Sequence, residues 1–153
     1  MEEKISPAVS KMLAITEQHM RSEHVLFKDI PFKNLSADRG NVAFAITLPA
    51  HFSDGEEIHG GLFTILLDTI LAVAAWTKMD VFQPQATINL KTDFFASVPP
   101  GTTIECHATC EDIVDEVAFC RGRALCPDGK KLAHAAGTFM VGTSSSTPKG
   151  SRL

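Results

Sequence analysis

The chain of 153 residues has no block of basic residues, and its formal net charge is −4. Both argue against nucleic-acid binding, which needs clustered lysine and arginine to meet phosphates. No two of its four cysteines, Cys106, Cys110, Cys120 and Cys126, form a Cys-x-x-Cys pair, so the usual zinc spacing is missing. They are expected as reduced, small hydrophobes in strands, with no metal bound. The N-terminal stretch lacks an arginine-rich leader and a short apolar run behind charges. A cytoplasmic location without a targeting peptide is therefore the expectation. No segment reads as a membrane span, no internal repeat is visible, and no second domain is expected.

What is present starts with Ile58 to Met79, IHGGLFTILLDTILAVAAWTKM. It reads as one helix, apolar on nearly every side, and such a helix expects to be enclosed. A single carboxylate, Asp68, falls in its middle, where burial is expected. An acid placed there is either paired out of sight or kept for chemistry.

The rest of the chain is arranged around that helix. Ser6 to Arg21 predicts an amphipathic helix with Ser6 as N-cap and Pro7 in the first turn. Leu26 to Leu35 could hold a first strand, broken by Pro31. Val42, Phe44, Ile46 and Leu48 alternate with smaller residues and predict a half-buried strand. After Pro84, Ala86, Ile88, Leu90 and Phe94 are expected on one face and Thr87, Asn89, Lys91 and Asp93 on the other. Ile104, Cys106, Ala108 and Cys110 alternate again, and Glu111 to Glu116 reads as a turn. Val117 to Cys126, a turn at Pro127-Asp128-Gly129, and Leu132 to Val141 complete the pattern. Strands joined by short turns imply antiparallel pairing, and one segregated helix implies an α+β layer arrangement. Ala133, Ala135 and Gly137 are small enough to let a helix approach the sheet. The sheet should leave one side of the helix bare, for a second subunit to cover. Residues 1–143 are expected as one domain and 144–153 as a disordered tail.

Chemistry concentrates at the start of the long helix. His59-Gly60-Gly61 sits where a loop becomes a helix, and the first helical amides have no internal partners. Those N–H groups favour an oxyanion or a polarised carbonyl. Asp68 lies about two turns deeper, roughly 10 Å along the axis. One helix cannot easily bring both to a single reacting carbon, whereas two helices from two subunits could. His59 is expected to orient the loop by hydrogen bonding, with a general-base role as the lesser alternative.

The string His-Gly-Gly, six residues, Asp-Thr (His59 to Thr69) resembles that of the hot-dog-fold thioesterases of the phenylacetate-pathway (PaaI-like) type. The Pro-Pro-Gly segment at Pro99 and Pro127-Asp128-Gly129-Lys130 with its small-residue strand strengthen the likeness, which spans roughly Ser6 to Val141. The resemblance implies a hot-dog fold, in which a curved six-stranded antiparallel sheet wraps one long central helix, with an N-terminal helix added. It implies a homodimer, commonly paired into a homotetramer, that hydrolyses an acyl-CoA thioester without metal or cofactor. The Gly60 amide, with Gly61 beside it, would polarise the carbonyl, and Asp68 of the neighbouring subunit would activate water or attack directly. Thr87 matches the Ser or Thr that relatives carry near the acid. Ser53 departs from the pattern, because many relatives have Asn there to help hold the carbonyl. That departure keeps open a catalytically weak acyl-CoA binding module. A hydratase is less well matched. Arg121, Arg123, Lys130 and Lys131 are either a solvated hairpin or contacts for coenzyme A phosphates. Phe63, Leu67, Trp76 and Phe82 are candidates for setting pocket depth. His24, His51, His107 and His134 are expected as surface or packing residues.

Overall fold

A computed structural model describes residues 4–143 of the chain. The expected tail, 144–153, lies outside the described residues. Helix α1 spans Pro7–Ser22. Ser6 caps it by accepting from the Val9 amide at 3.2 Å, while its hydroxyl donates to the Asp80 carbonyl at 2.7 Å. One serine thus satisfies an orphan helical amide and ties α1 to the far end of the central helix.

Pro31 marks the start of the first strand and does not break it. A short 3-10 turn, Phe27–Asp29, precedes it, and strand β1 runs Phe32–Asp38. A proline that donates no ladder hydrogen bond fits a strand boundary better than a strand interior. Strand β2, Asn41–Thr47, follows a turn on Gly40, whose φ of +82° suits glycine.

Helix α2 is Gly61–Lys78, three residues shorter at its start than the hydrophobic pattern suggests. Ile58 and His59 are held in the preceding loop, where the His59 amide donates to the Phe52 carbonyl at 2.8 Å and Ile58 pairs with Ser53. By length and composition α2 could cross a membrane, yet 67% of it is buried inside the fold. Its apolar surface is spent on the core: Leu67, Leu71, Ala74 and Ala75 are fully enclosed.

Strands β3 (Gln85–Phe94), β4 (Thr103–Val114), β5 (Val117–Leu125) and β6 (Lys131–Val141) complete the sheet. Its order is β1-β2-β4-β5-β6-β3, with every neighbouring pair antiparallel. This is the hot-dog arrangement. β4 runs on through Glu111 to Val114, and the turn falls only on Asp115 and Glu116, both at positive φ. A bulge between Cys110 and Asp112 absorbs the polar stretch.

Leu71 shows why small residues line the strands beneath α2. A Cβ on Gly122 would lie 3.1 Å from one Leu71 methyl, and a Cβ on Gly137 would lie 3.3 Å from the other. The helix therefore rests against backbone at these points. Ala133 and Ala135 are as fully buried as expected.

β3 departs from strict alternation. Thr87 pairs with Phe139 and Asn89 with Thr138, which leaves Ile88 as the extra residue of a bulge. The bulge shifts the phase by one. Thr87 therefore shares the inner face with Leu90 and Phe94, and the alternation expected from sequence placed it on the outer one. Ile88 itself is 52% exposed.

The side of α2 away from the sheet is not bare. α1 roofs part of it, loosely, and a cavity of about 440 Å³ lies between the two helices and β3.

Candidate active site

The loop before α2 is held by its own backbone and short side chains. Asp54 accepts from the amides of Glu56 and Glu57, both at 3.0 Å. Hydrogen bonds from Glu57 and Glu56 hold its carboxyl below the usual carboxylate range. Ser53 Oγ donates to the Ala50 carbonyl at 2.8 Å and accepts from the Gly55 amide at 3.2 Å. Its hydroxyl is engaged within the loop, as a serine in a local turn often is. The Ile58 amide anchors the loop to the Val98 carbonyl at 2.9 Å.

The two glycines at the start of α2 are not equivalent. The Gly61 amide donates to His59 Nδ1 at 3.0 Å, so the ring already fills one orphan position of the helix. With Nδ1 accepting, the His59 proton sits on Nε2. The Gly60 amide has no acceptor among the described residues. A Cβ on Gly60 would lie 3.3 Å from the Phe94 ring, so glycine here lets that ring pack closely on the loop.

Asp68 is half-buried, not enclosed, because it borders the cavity between α1, α2 and the β3 edge of the sheet. Thr87 Oγ1 donates to Asp68 Oδ1 at 3.0 Å. The bulge at Ile88 is what turns Thr87 inward to make this contact. Nearby, the Gln85 side-chain amide donates to the Ala72 carbonyl at 2.7 Å and fixes β3 against α2.

Within one chain the two halves of the candidate site stay apart. Ser53, His59 and Gly61 border a surface cleft of about 580 Å³. Asp68 and Thr87 border the 440 Å³ cavity, and Ile65 touches both spaces. Of the residues considered for pocket depth, only Trp76 lines that cavity. Phe63 and Leu67 lie in the core, and Phe82 stacks against Trp76 at 4.9 Å. Arg121 is paired with Glu111 at 2.9 Å, and Arg123 lies between His107 and His134 on neighbouring strands. Three cysteines are buried, Cys126 is partly so, and all four are free. Among the described residues no three His, Cys, Asp or Glu side chains converge as metal ligands would.

The sequence pattern of the thioesterase superfamily matches residues 56–133. The chain belongs to that family. The match runs from the loop before α2 into β6, so it includes His59, Gly60, Gly61, Asp68 and Thr87 and leaves out α1 and the turn after it. A Pseudomonas aeruginosa protein named for a suspected esterase activity is 30% identical over 89 residues, 58% of this chain. The aligned stretch spans 66% of that relative, just under two thirds. In three dimensions this thioesterase-superfamily protein is similar to Escherichia coli PaaI, from the phenylacetic acid degradation operon. The TM-score is 0.77 at 17% identity, over 90% of this chain and 96% of that one. It also resembles a Streptococcus pneumoniae protein described as a hypothetical thioesterase and solved with coenzyme A, with a TM-score of 0.67 at 14% identity over 75% and 89% of the two chains. With PaaI this protein shares the hot-dog fold, α1 included.

Two residues of the 440 Å³ cavity escape a sequence reading. Gln85 stands before the apparent start of the alternating strand. His24 lies in a segment without periodicity, and only its turn geometry distinguishes it from a surface histidine.

Proposed function

We propose that this protein hydrolyses an acyl-CoA thioester to the free acid and coenzyme A as a homodimer, or as a pair of such dimers. The Gly60 amide of one subunit polarises the thioester carbonyl. Asp68 of the other, oriented by Thr87, activates a water molecule for attack. The observation that carries this reading is the separation of the halves within one chain. An open amide and a threonine-bonded carboxylate face different cavities, and a second copy can bring such halves together. β3 is a free edge of the sheet, and Ile88, Phe94 and Phe95 beside it are each more than half exposed. That edge is where a second copy is expected to add. The acyl group would occupy the cavity beneath α1.

A weaker reading is a module that binds acyl-CoA with little turnover. It is favoured by Ser53, whose hydroxyl is already committed inside its loop. The two are separated by following thiol release from a panel of acyl-CoAs with a thiol-reactive dye. Steady release that Asp68→Asn abolishes supports the hydrolase. Thermal stabilisation by coenzyme A without release supports the binding module. Full activity in Asp68→Asn would remove Asp68 from the mechanism.

A further inference from the structure

His24 is 9% exposed and lines the same cavity as Asp68. Its Nδ1 accepts from two backbone amides, Leu26 at 3.2 Å and Phe27 at 3.3 Å. A nitrogen that accepts carries no proton, so the ring's proton is on Nε2. The ring is further fixed by stacking on Phe27 at 5.1 Å and by the edge of His19 at 6.1 Å. The Nε2–H points away from the turn and has no hydrogen-bond partner among the described residues. Nor is it among the buried polar atoms sealed off from solvent without a partner. The ring borders the cavity. The walls there are largely apolar, with Met20, Ile65, Val73, Trp76 and Phe139 around it. A donor held rigidly in an apolar pocket rewards a ligand oxygen and leaves an all-hydrocarbon ligand with an unmet N–H.

From this geometry we infer that His24 selects acyl groups whose far end carries an oxygen acceptor, a ketone or hydroxyl, over acyl groups ending in hydrocarbon. The selection rests on the proposed acyl-CoA reading for the identity of the ligand. It belongs to the turn after α1, outside the stretch that matches the family pattern. The residue contributes to acyl selection and takes no part in bond cleavage.

The test pairs (ω−1)-oxoacyl-CoAs of five to eight carbons with their (ω−1)-methyl analogues, in which a CH bearing a methyl group replaces the ketone C=O. The wild type is expected to favour the best-fitting oxo substrate roughly three- to tenfold in kcat/KM, the range of one neutral hydrogen bond. In His24→Asn the side-chain oxygen is expected where Nδ1 stood, keeping the Leu26 and Phe27 amides satisfied, while the NH2 falls nearer the former Cδ2 position, about 2 Å short of Nε2. Its preference should fall to within about twofold, through loss on the oxo member. His24→Gln makes the opposite trade: it loses the turn contacts and some thermal stability, and it retains a donor and part of the preference. The same pairs are titrated calorimetrically into Asp68→Asn protein, with and without His24→Asn, to read Kd ratios independently of turnover. An oxo preference unchanged in His24→Asn, or no preference at any chain length in either kcat/KM or Kd, overturns the assignment. Absence of turnover with every acyl-CoA overturns the hydrolase reading alone, and the Kd ratios then decide the role of His24.

Discussion

Thr87→Val removes one hydroxyl and little else. Valine has the same branched shape and suits a strand at least as well, so β3 should keep its course. What is lost is the donor 3.0 Å from Asp68 Oδ1. A hydrogen bond to a charged group contributes about 1.5–3 kcal/mol, and partial exposure of this pair lowers that to about 1–2 kcal/mol. If the carboxylate must be held in one orientation to activate water, kcat/KM should fall roughly 5- to 30-fold, and loss of the same bond should lower the melting temperature by about 2–8 °C without changing the fold. Thr87→Ser should recover most of the activity. The decisive measurement is thiol release in a double-mutant cycle. In the Asp68→Asn background, Thr87→Val should change the residual rate by less than about twofold, because the contact no longer serves a base. Equal losses in both backgrounds would refute the positioning role. So would full activity in Thr87→Val alone.

Other consequences are independent of activity. Gly122→Ala places a Cβ 2.8 Å from the His107 carbonyl oxygen and 3.1 Å from Leu71. Backbone on one side and a core leucine on the other leave little room, so a loss of about 1–3 kcal/mol is expected in denaturant unfolding; a more stable variant would mean that α2 does not sit this close to the sheet. Asp54 is held below the ordinary range by the Glu57 and Glu56 amides. A depressed carboxylate stabilises the folded state above its unfolded pKa of about 3.9 and ceases to do so as pH falls through the lower folded value. Hydrogen exchange should therefore show the two amides protected above about pH 4 and released in stronger acid, and unprotected at every pH in Asp54→Ala; protection independent of pH would contradict the contact. Burial pushes the Cys106 thiol up to about 12, so a thiol reagent in mildly alkaline buffer should label partly exposed Cys126 well before Cys106. The reverse order would show the core to be open.

Much of this arrangement can be read from the residues. The all-apolar helix with one acid, the alternation of β4 and β5, and the small residues facing Leu71 each follow from a local period or a steric need. Asp68 is legible as the residue needing a reason to exist, although its half-exposed position is not. α1 roofs it loosely, and sequence does not reveal how loosely two elements pack. Thr87 can be named but not placed, because periodicity assumes an unbroken strand and the bulge at Ile88 has no glycine or proline to announce it. Gly60 and Gly61 read alike until the His59 ring is seen to take one amide and leave the other. His24 fits its sequence reading as a packing residue, but the two backbone amides that fix its ring belong to a turn, a pattern without a sequence period.

The extra residue at Ile88 carries a warning for anyone sorting relatives by motif. A chain could keep every one of these side chains and still lose the hydroxyl-to-carboxylate contact if the residue after its threonine paired regularly with β6 instead of bulging out. In such a chain the threonine would look outward into solvent. The pairing register along that strand is thus a stricter criterion for this contact than the presence of the acid and its threonine.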